Sequence, residues 1–169
     1  MILGFKQQFP WATKDSPSPT NFREKILYGV GRSIWITPRQ IKKFPKIHTM
    51  RLDPHNRWKA GRKIEMVYRG AGYKIIDHFN KGIPELEVCT GIQSIRIKHY
   101  DDGQVHISID NNIFFWGSLV HEKIATKDEY LKNINSLVKN DGFDSVEDFF
   151  RWFNKDWEGK IIHFTDFRY

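Results

Sequence analysis

Val88-Cys-Thr-Gly-Ile-Gln-Ser-Ile-Arg-Ile-Lys-His-Tyr100, Asp101-Asp-Gly103, Gln104-Val-His-Ile-Ser-Ile109, Asp110-Asn-Asn112 and Ile113-Phe-Phe-Trp116 form one continuous run. In its first segment Ile92, Ile95 and Ile97 stand among polar residues. In the second, Val105, Ile107 and Ile109 alternate with Gln104, His106 and Ser108, the period of a half-buried strand. Asp102-Gly103 is a hairpin signal, because glycine accepts the positive φ that tight hairpin turns demand. Asp110-Asn-Asn112 marks a second turn before Ile113 to Trp116. The run therefore predicts strands joined by tight turns.

The pattern changes downstream. Thr126-Lys-Asp-Glu129 has capping-box spacing, and Tyr130, Ile134, Leu137 and Val138 recur at helical intervals. Asp141-Gly142 ends that helix. Asp144-Ser-Val-Glu147 opens another, with Val146, Phe149, Phe150 and Phe153 on its apolar face. Ile161 to Phe167 reads as a closing strand. Upstream, Ile2 to Phe5 reads as a strand and Lys14 to Pro19 as a loop. Asn21-Phe-Arg-Glu24 reads as a capping box for a helix ended by Gly29. Residues 30 to 45 look like an inserted loop with a short helix around Pro38 to Lys43. Asp53 to Asn56 has turn chemistry, and Lys63 to Tyr68 alternates like a strand. The fold class is α+β, a small mixed or barrel-like sheet with helices on one side, in one domain over residues 1–169.

Charge is unevenly placed. Of 27 Lys and Arg residues, 13 lie between Phe22 and Arg69, against Glu24, Asp53 and Glu65. That window is net +10 in a chain of net +7, so the remainder is net −3. Local positive potential attracts phosphate, which predicts a basic cleft for a nucleotide or a single-stranded nucleic acid, floored by Lys46 to Arg51 and walled by the Arg57 to Lys59 turn. One cysteine, Cys89, excludes an internal disulfide and any multi-cysteine metal site. No apolar run approaches the ~20 residues that cross a bilayer, and Met1-Ile-Leu-Gly-Phe-Lys6 lacks the basic-then-apolar order of a signal peptide. A soluble cytoplasmic protein without a membrane partner is the expectation. His48 and His55 are spaced too loosely for a standard ligand pair, so no metal and no cofactor are expected.

The order Phe22-x-x-Lys-Ile-Leu-x-Gly29, Lys46-x-x-Thr49-x-Arg51, then a turn and Gly61 before a strand, resembles the ASCH family, whose β-barrel is similar to the PUA RNA-binding fold. Asp141-Gly-Phe-Asp-Ser-Val-Glu-Asp-Phe149 resembles that family's Glu-Gly-Phe segment, and Ile161-Ile-His-Phe164 its closing strand. The chain also looks like small proteins of this type from bacteriophages and gut bacteria, which places it in a bacterial or phage-infected cell. The sequence departs from the pattern in two places: a long insertion separates Gly29 from Lys46, and Asp141 stands where Glu is usual. The resemblance implies RNA or DNA binding. In some members it implies hydrolysis of acetylcytidine, with roles falling on Lys46, Thr49 and Asp141.

Each candidate also has a structural alternative. Thr49 is a nucleophile only if a desolvated Lys46 takes its proton; otherwise it is a β-former beside a solvated charge. Residues three apart on a regular strand face opposite ways, so the two converge only at a bulge, or if Lys46 precedes the strand. Arg51, Arg57 and Lys59 are phosphate ligands or solvated charges. Trp58 is a base-stacking platform or a core plug. Asp141 orients Lys46 or merely closes its helix. His106-Ile-Ser108 and His163-Phe-Thr165 match the paired His-x-Ser/Thr triplets of 2H phosphoesterases, which use two imidazoles on one phosphodiester. A non-enzymatic protein-interaction role is a further alternative.

Overall fold

The computed structural model describes residues 1–32, 44–70, 74–120 and 123–169. The expected helix at Pro38 to Lys43 and most of the 30–45 insertion lie outside them. The architecture is mixed α+β in two sheets. In the smaller, β1 (Ile2–Lys6) pairs in parallel with β3 (Glu65–Arg69), which pairs antiparallel with β4 (Ile75–His78). The larger is antiparallel throughout. It holds β2 (His48–Arg51), β5 (Gly91–His99), β6 (Gln104–Ile109), β7 (Asn112–Val120), β8 (Lys123–Thr126) and β9 (Trp157–His163), in the order β2-β9-β5-β6-β7-β8. The chain's last strand thus lies between β2 and β5. Among the described residues the α-helices are α1 (Phe22–Gly29), α2 (Asp128–Asn140) and α3 (Val146–Trp152).

Register sets which side chains meet, because directly opposed residues of an antiparallel pair point to the same face. His48 opposes His163, and His163 opposes Gly91; Met50 opposes Ile161, and Ile161 opposes Gln93. This parity continues through Ile95, Ile97, Ile107 and Phe115 and forms the buried face under α2 and α3, where Phe150 packs on Phe115. Thr49, Ile162 and Ile92 take the other face, with Arg51, Arg96, Lys98, His106 and Trp116. At its β2 end that second face is covered by the small sheet: the Arg51 guanidinium donates to Gly4 O at 2.7 Å and lies over the Phe5 ring.

Several expected caps are not formed. Asn21 adopts a left-handed conformation and makes no side-chain cap bond. Thr126 gives its hydroxyl to Trp116 O instead of capping α2. Ser145, not Asp144, caps α3 by accepting from Asp148 N, since Asp144 is held by Lys25. The closing strand begins at Trp157, four residues before the expected start. Strands β4 and β8 carry no clear alternation and escape a reading by pattern.

Candidate functional site

Lys46 lies just before β2, in extended chain whose backbone is fixed on both sides: Lys46 N–H donates to Lys25 O at 3.1 Å and Ile47 N–H to Asn140 O at 2.9 Å. The segment is therefore pinned between α1 and the end of α2. The Lys46 side chain is 1% exposed. Its Nζ donates to Asp141 Oδ1 at 2.7 Å and also to the Asp141 carbonyl, with the Phe22 ring 4.6 Å away. Gly142 makes this approach possible. Its φ is +85°, and a Cβ there would come within 3.0 Å of Lys46 Cδ.

An ammonium taken out of water is costly unless paired, and pairing repays the cost only with good geometry. Burial pulls the Lys46 pKa down to about 8; Asp141 opposes the shift, while Arg51 and Lys25 add to it. Burial alone would push the Asp141 carboxyl up. Lys46 and His48 outweigh that and hold it below the ordinary carboxylate range. At neutral pH the pair is charged. A second buried lysine flanks the first. Lys25 Nζ donates to Gly142 O at 2.7 Å and to Asp144 Oδ1 at 2.9 Å. Two lysines thus clamp the Asp141-Gly-Phe-Asp144 turn.

Around Asp141 the structure adds groups that the sequence did not single out for this site. His48 Nδ1 lies 3.5 Å from Asp141 Oδ1, an electrostatic contact at the outer limit of hydrogen bonding and not a full bond. His48 Nε2 is 2.7 Å from the Tyr169 hydroxyl, to which Asn140 Nδ2 donates at 3.1 Å. The His163 ring lies 5.5 Å from that of His48, with both nitrogens buried and unbonded. Burial first, then His48 and Arg168, hold His163 down to about 3, so it is neutral. The signal for His48 is its strand parity with buried Met50. The signal for Lys25 is its place between Phe22 and Ile26 on the buried face of α1. Tyr169 has no local signal.

Of the sequence candidates, Lys46 and Asp141 are brought into direct contact. Thr49 is buried, but strand alternation turns it away from His48, toward the Arg51 face. Lys46 does precede the regular strand, the arrangement that frees it from that alternation. Arg51 influences both Lys46 and Asp141 electrostatically. Trp58 is 6% exposed within the hydrophobic core, so the stacking role gives way to the core-plug alternative. Arg57 and Lys59 on either side of it are exposed. Asp53 rigidifies their turn by accepting from Arg57 N at 2.8 Å and Trp58 N at 2.9 Å. His106 and His163 lie on opposite faces of one sheet, the former against Trp116 and the latter fully buried. Two imidazoles so placed do not close on one phosphodiester, and the two-histidine mechanism is set aside.

The described cations of the basic window do not share one cleft. Lys25 and Lys46 point inward, Arg23 pairs with Asp77 and Arg32 with Glu85. Arg57, Lys59, Arg62 and Lys63 are exposed before β3, and among the described residues none of the four has an ion pair. No group of three or more metal-ligating side chains occurs among the described residues, and no described helix is long and apolar enough to cross a membrane. Comparison with family models, with curated proteins and with solved structures gives no match.

Proposed function

We propose that this chain is an ASCH-like domain of the PUA-like barrel class that hydrolyses an amide on a small modified nucleoside, acylated cytidine being the first to try. The observation that supports this reading is the buried Lys46–Asp141 pair, with Lys46 held near a pKa of about 8. A proton acceptor works best when its pKa lies near the working pH, and burial is the ordinary way to bring a lysine there. Asp141 keeps Lys46 in one position, and Thr49 is the hydroxyl that the reading assigns as nucleophile. In this scheme, which requires Lys46 to come within reach of Thr49, the Thr49 oxygen forms a bond to the acyl carbon as the amide C–N bond breaks, and the Thr49 proton passes by way of Lys46 to the leaving amine. Water then cleaves the acyl ester. The test is incubation with acetylcytidine, followed by separation of cytidine and acetate. Expected are product formation that rises with pH through about 8 and its loss in Lys46→Met and Thr49→Ala. Turnover unchanged in Thr49→Ala removes the reading.

The exposed cluster Arg57, Lys59, Arg62 and Lys63 favours a second reading, binding of a nucleic-acid backbone. Each phosphate contact adds roughly 0.7 to the salt slope for a single strand. Binding that keeps its salt slope in the Arg57→Ala, Lys59→Ala double variant counts against it.

A further inference from the structure

The hydrogen bonds around Tyr169 assign a tautomer to His48. A phenol carries one proton. Asn140 Nδ2 donates to the Tyr169 oxygen at 3.1 Å, so the phenolic proton is free to go elsewhere, and His48 Nε2 at 2.7 Å is its partner. Burial raises the Tyr169 pKa, so this proton stays on the phenol. Burial, assisted by the Lys46 charge and opposed by Asp141, lowers the His48 pKa and keeps the ring neutral. Nε2 is then a bare acceptor, and the ring proton sits on Nδ1. Nδ1 faces Asp141 Oδ1, the oxygen that Lys46 grips. Tyr169 is itself anchored, its N–H donating to Gln93 Oε1 at 3.0 Å and its carbonyl accepting from Gln93 Nε2 at 3.1 Å.

We propose that His48 and Tyr169 are positioning residues of the Lys46–Asp141 centre: the Tyr169 hydroxyl fixes His48 as the Nδ1–H tautomer, and that N–H steadies the carboxylate that holds Lys46. The chain Lys46–Asp141–His48–Tyr169 joins the start of β2, the end of α2 and the segment after β9. Outer partners of this kind set the tautomer and orientation of the group next to them. Among the described residues, the charged and titratable groups facing Lys46 are Asp141 from the end of α2, His48 and Arg51 from β2, and Lys25 from α1. His163 and Tyr169 complete the surroundings of His48. The proposal deepens the reading of Lys46 as the reactive centre, but its physical content rests on these contacts alone.

Two-bond proton–nitrogen correlation spectra of the labelled protein report which ring nitrogen carries the proton. At pH 7 the expected result is His48 protonated on Nδ1 and bare on Nε2. In Tyr169→Phe the Nε2 lone pair loses its donor, so an Nε2–H share appears beside the Nδ1–H form that Asp141 still favours. In that share the Asp141 charge falls to Lys46 alone, so the Lys46 titration midpoint rises. An Nε2–H or doubly protonated His48 in the wild-type protein overturns the proposal. So does a folded Tyr169→Phe variant with tautomer and midpoint unchanged. If that variant fails to fold, the wild-type tautomer decides. The predicted tautomer without acetylcytidine hydrolysis rejects the catalytic reading and upholds this assignment; hydrolysis with the other tautomer does the reverse.

Discussion

Lys46 and Lys59 belong to one cationic stretch, and the fold treats them oppositely. Lys46 is buried, bonded to a carboxylate and pressed against an aromatic ring. Lys59 sits exposed on a turn beside Arg57, with the buried Trp58 between them. The difference shows that charge density along a sequence does not amount to a charged surface. Each cation goes where its neighbours allow. Lys46 goes inward because Asp141 and a glycine that makes room lie opposite it. Lys59 stays out because the core there needs only the indole next to it.

The largest effects should separate the two regions. Asp141→Ala leaves a buried ammonium without its partner and should cost about 3–5 kcal/mol in urea unfolding. Trp58→Ala empties a core site at about the same cost. Arg57→Ala and Lys59→Ala should each stay within about 0.5 kcal/mol of wild type. An Asp141→Ala protein as stable as Lys59→Ala would break the comparison.

Replacing both members of the pair sharpens it. Lys46→Met with Asp141→Leu removes the charge as well as its partner, and should recover most of the loss seen in Asp141→Ala. A double variant as unstable as the single one would mean that Asp141 acts through something other than Lys46.

Gly142→Ala tests the room made for Lys46. It forces a side chain into a left-handed conformation, costing about 1–2 kcal/mol, and crowds Lys46 Cδ as well. The same substitution at Gly61, where φ is +78° and nothing lies within 4 Å of the new Cβ, should show the backbone cost alone.

The pair also has a signature in pH dependence. The folded pKa of Lys46, about 8, lies below its unfolded value of about 10.4, so the native state binds fewer protons between the two. Wild type should therefore gain stability relative to the Lys46→Met, Asp141→Leu variant as pH rises through that window. Asp141 acts at the other end. Its folded pKa is depressed, so its contribution is present above the unfolded carboxylate range and is lost as pH falls through the folded value. Parallel stability curves across both windows would contradict the assignment.

Much of the fold can be read locally. The alternation of Val105 to Ile109, the hairpin at Gly103 and the helical spacing of Ile134, Leu137 and Val138 each reflect a single element's geometry, and each matches the structure. The site was legible in part. Lys46 and Asp141 stand out as types in a pattern, but their contact spans 95 positions of sequence. His48 and Tyr169 join them only through the pairing of β2 with β9 and the return of the chain after it. No local period carries that information. Caps misled for the same reason: Asp144 has cap chemistry, yet a buried Lys25 from another helix claims it.

The central claim is that Lys46 is a buried, carboxylate-held proton acceptor and not another surface cation. Nitrogen-detected NMR titration of the Lys46 ammonium tests it directly. The account predicts a midpoint near 8 that moves on removal of Asp141. A midpoint at the ordinary lysine value of about 10.4, unaltered in Asp141→Asn, would contradict it.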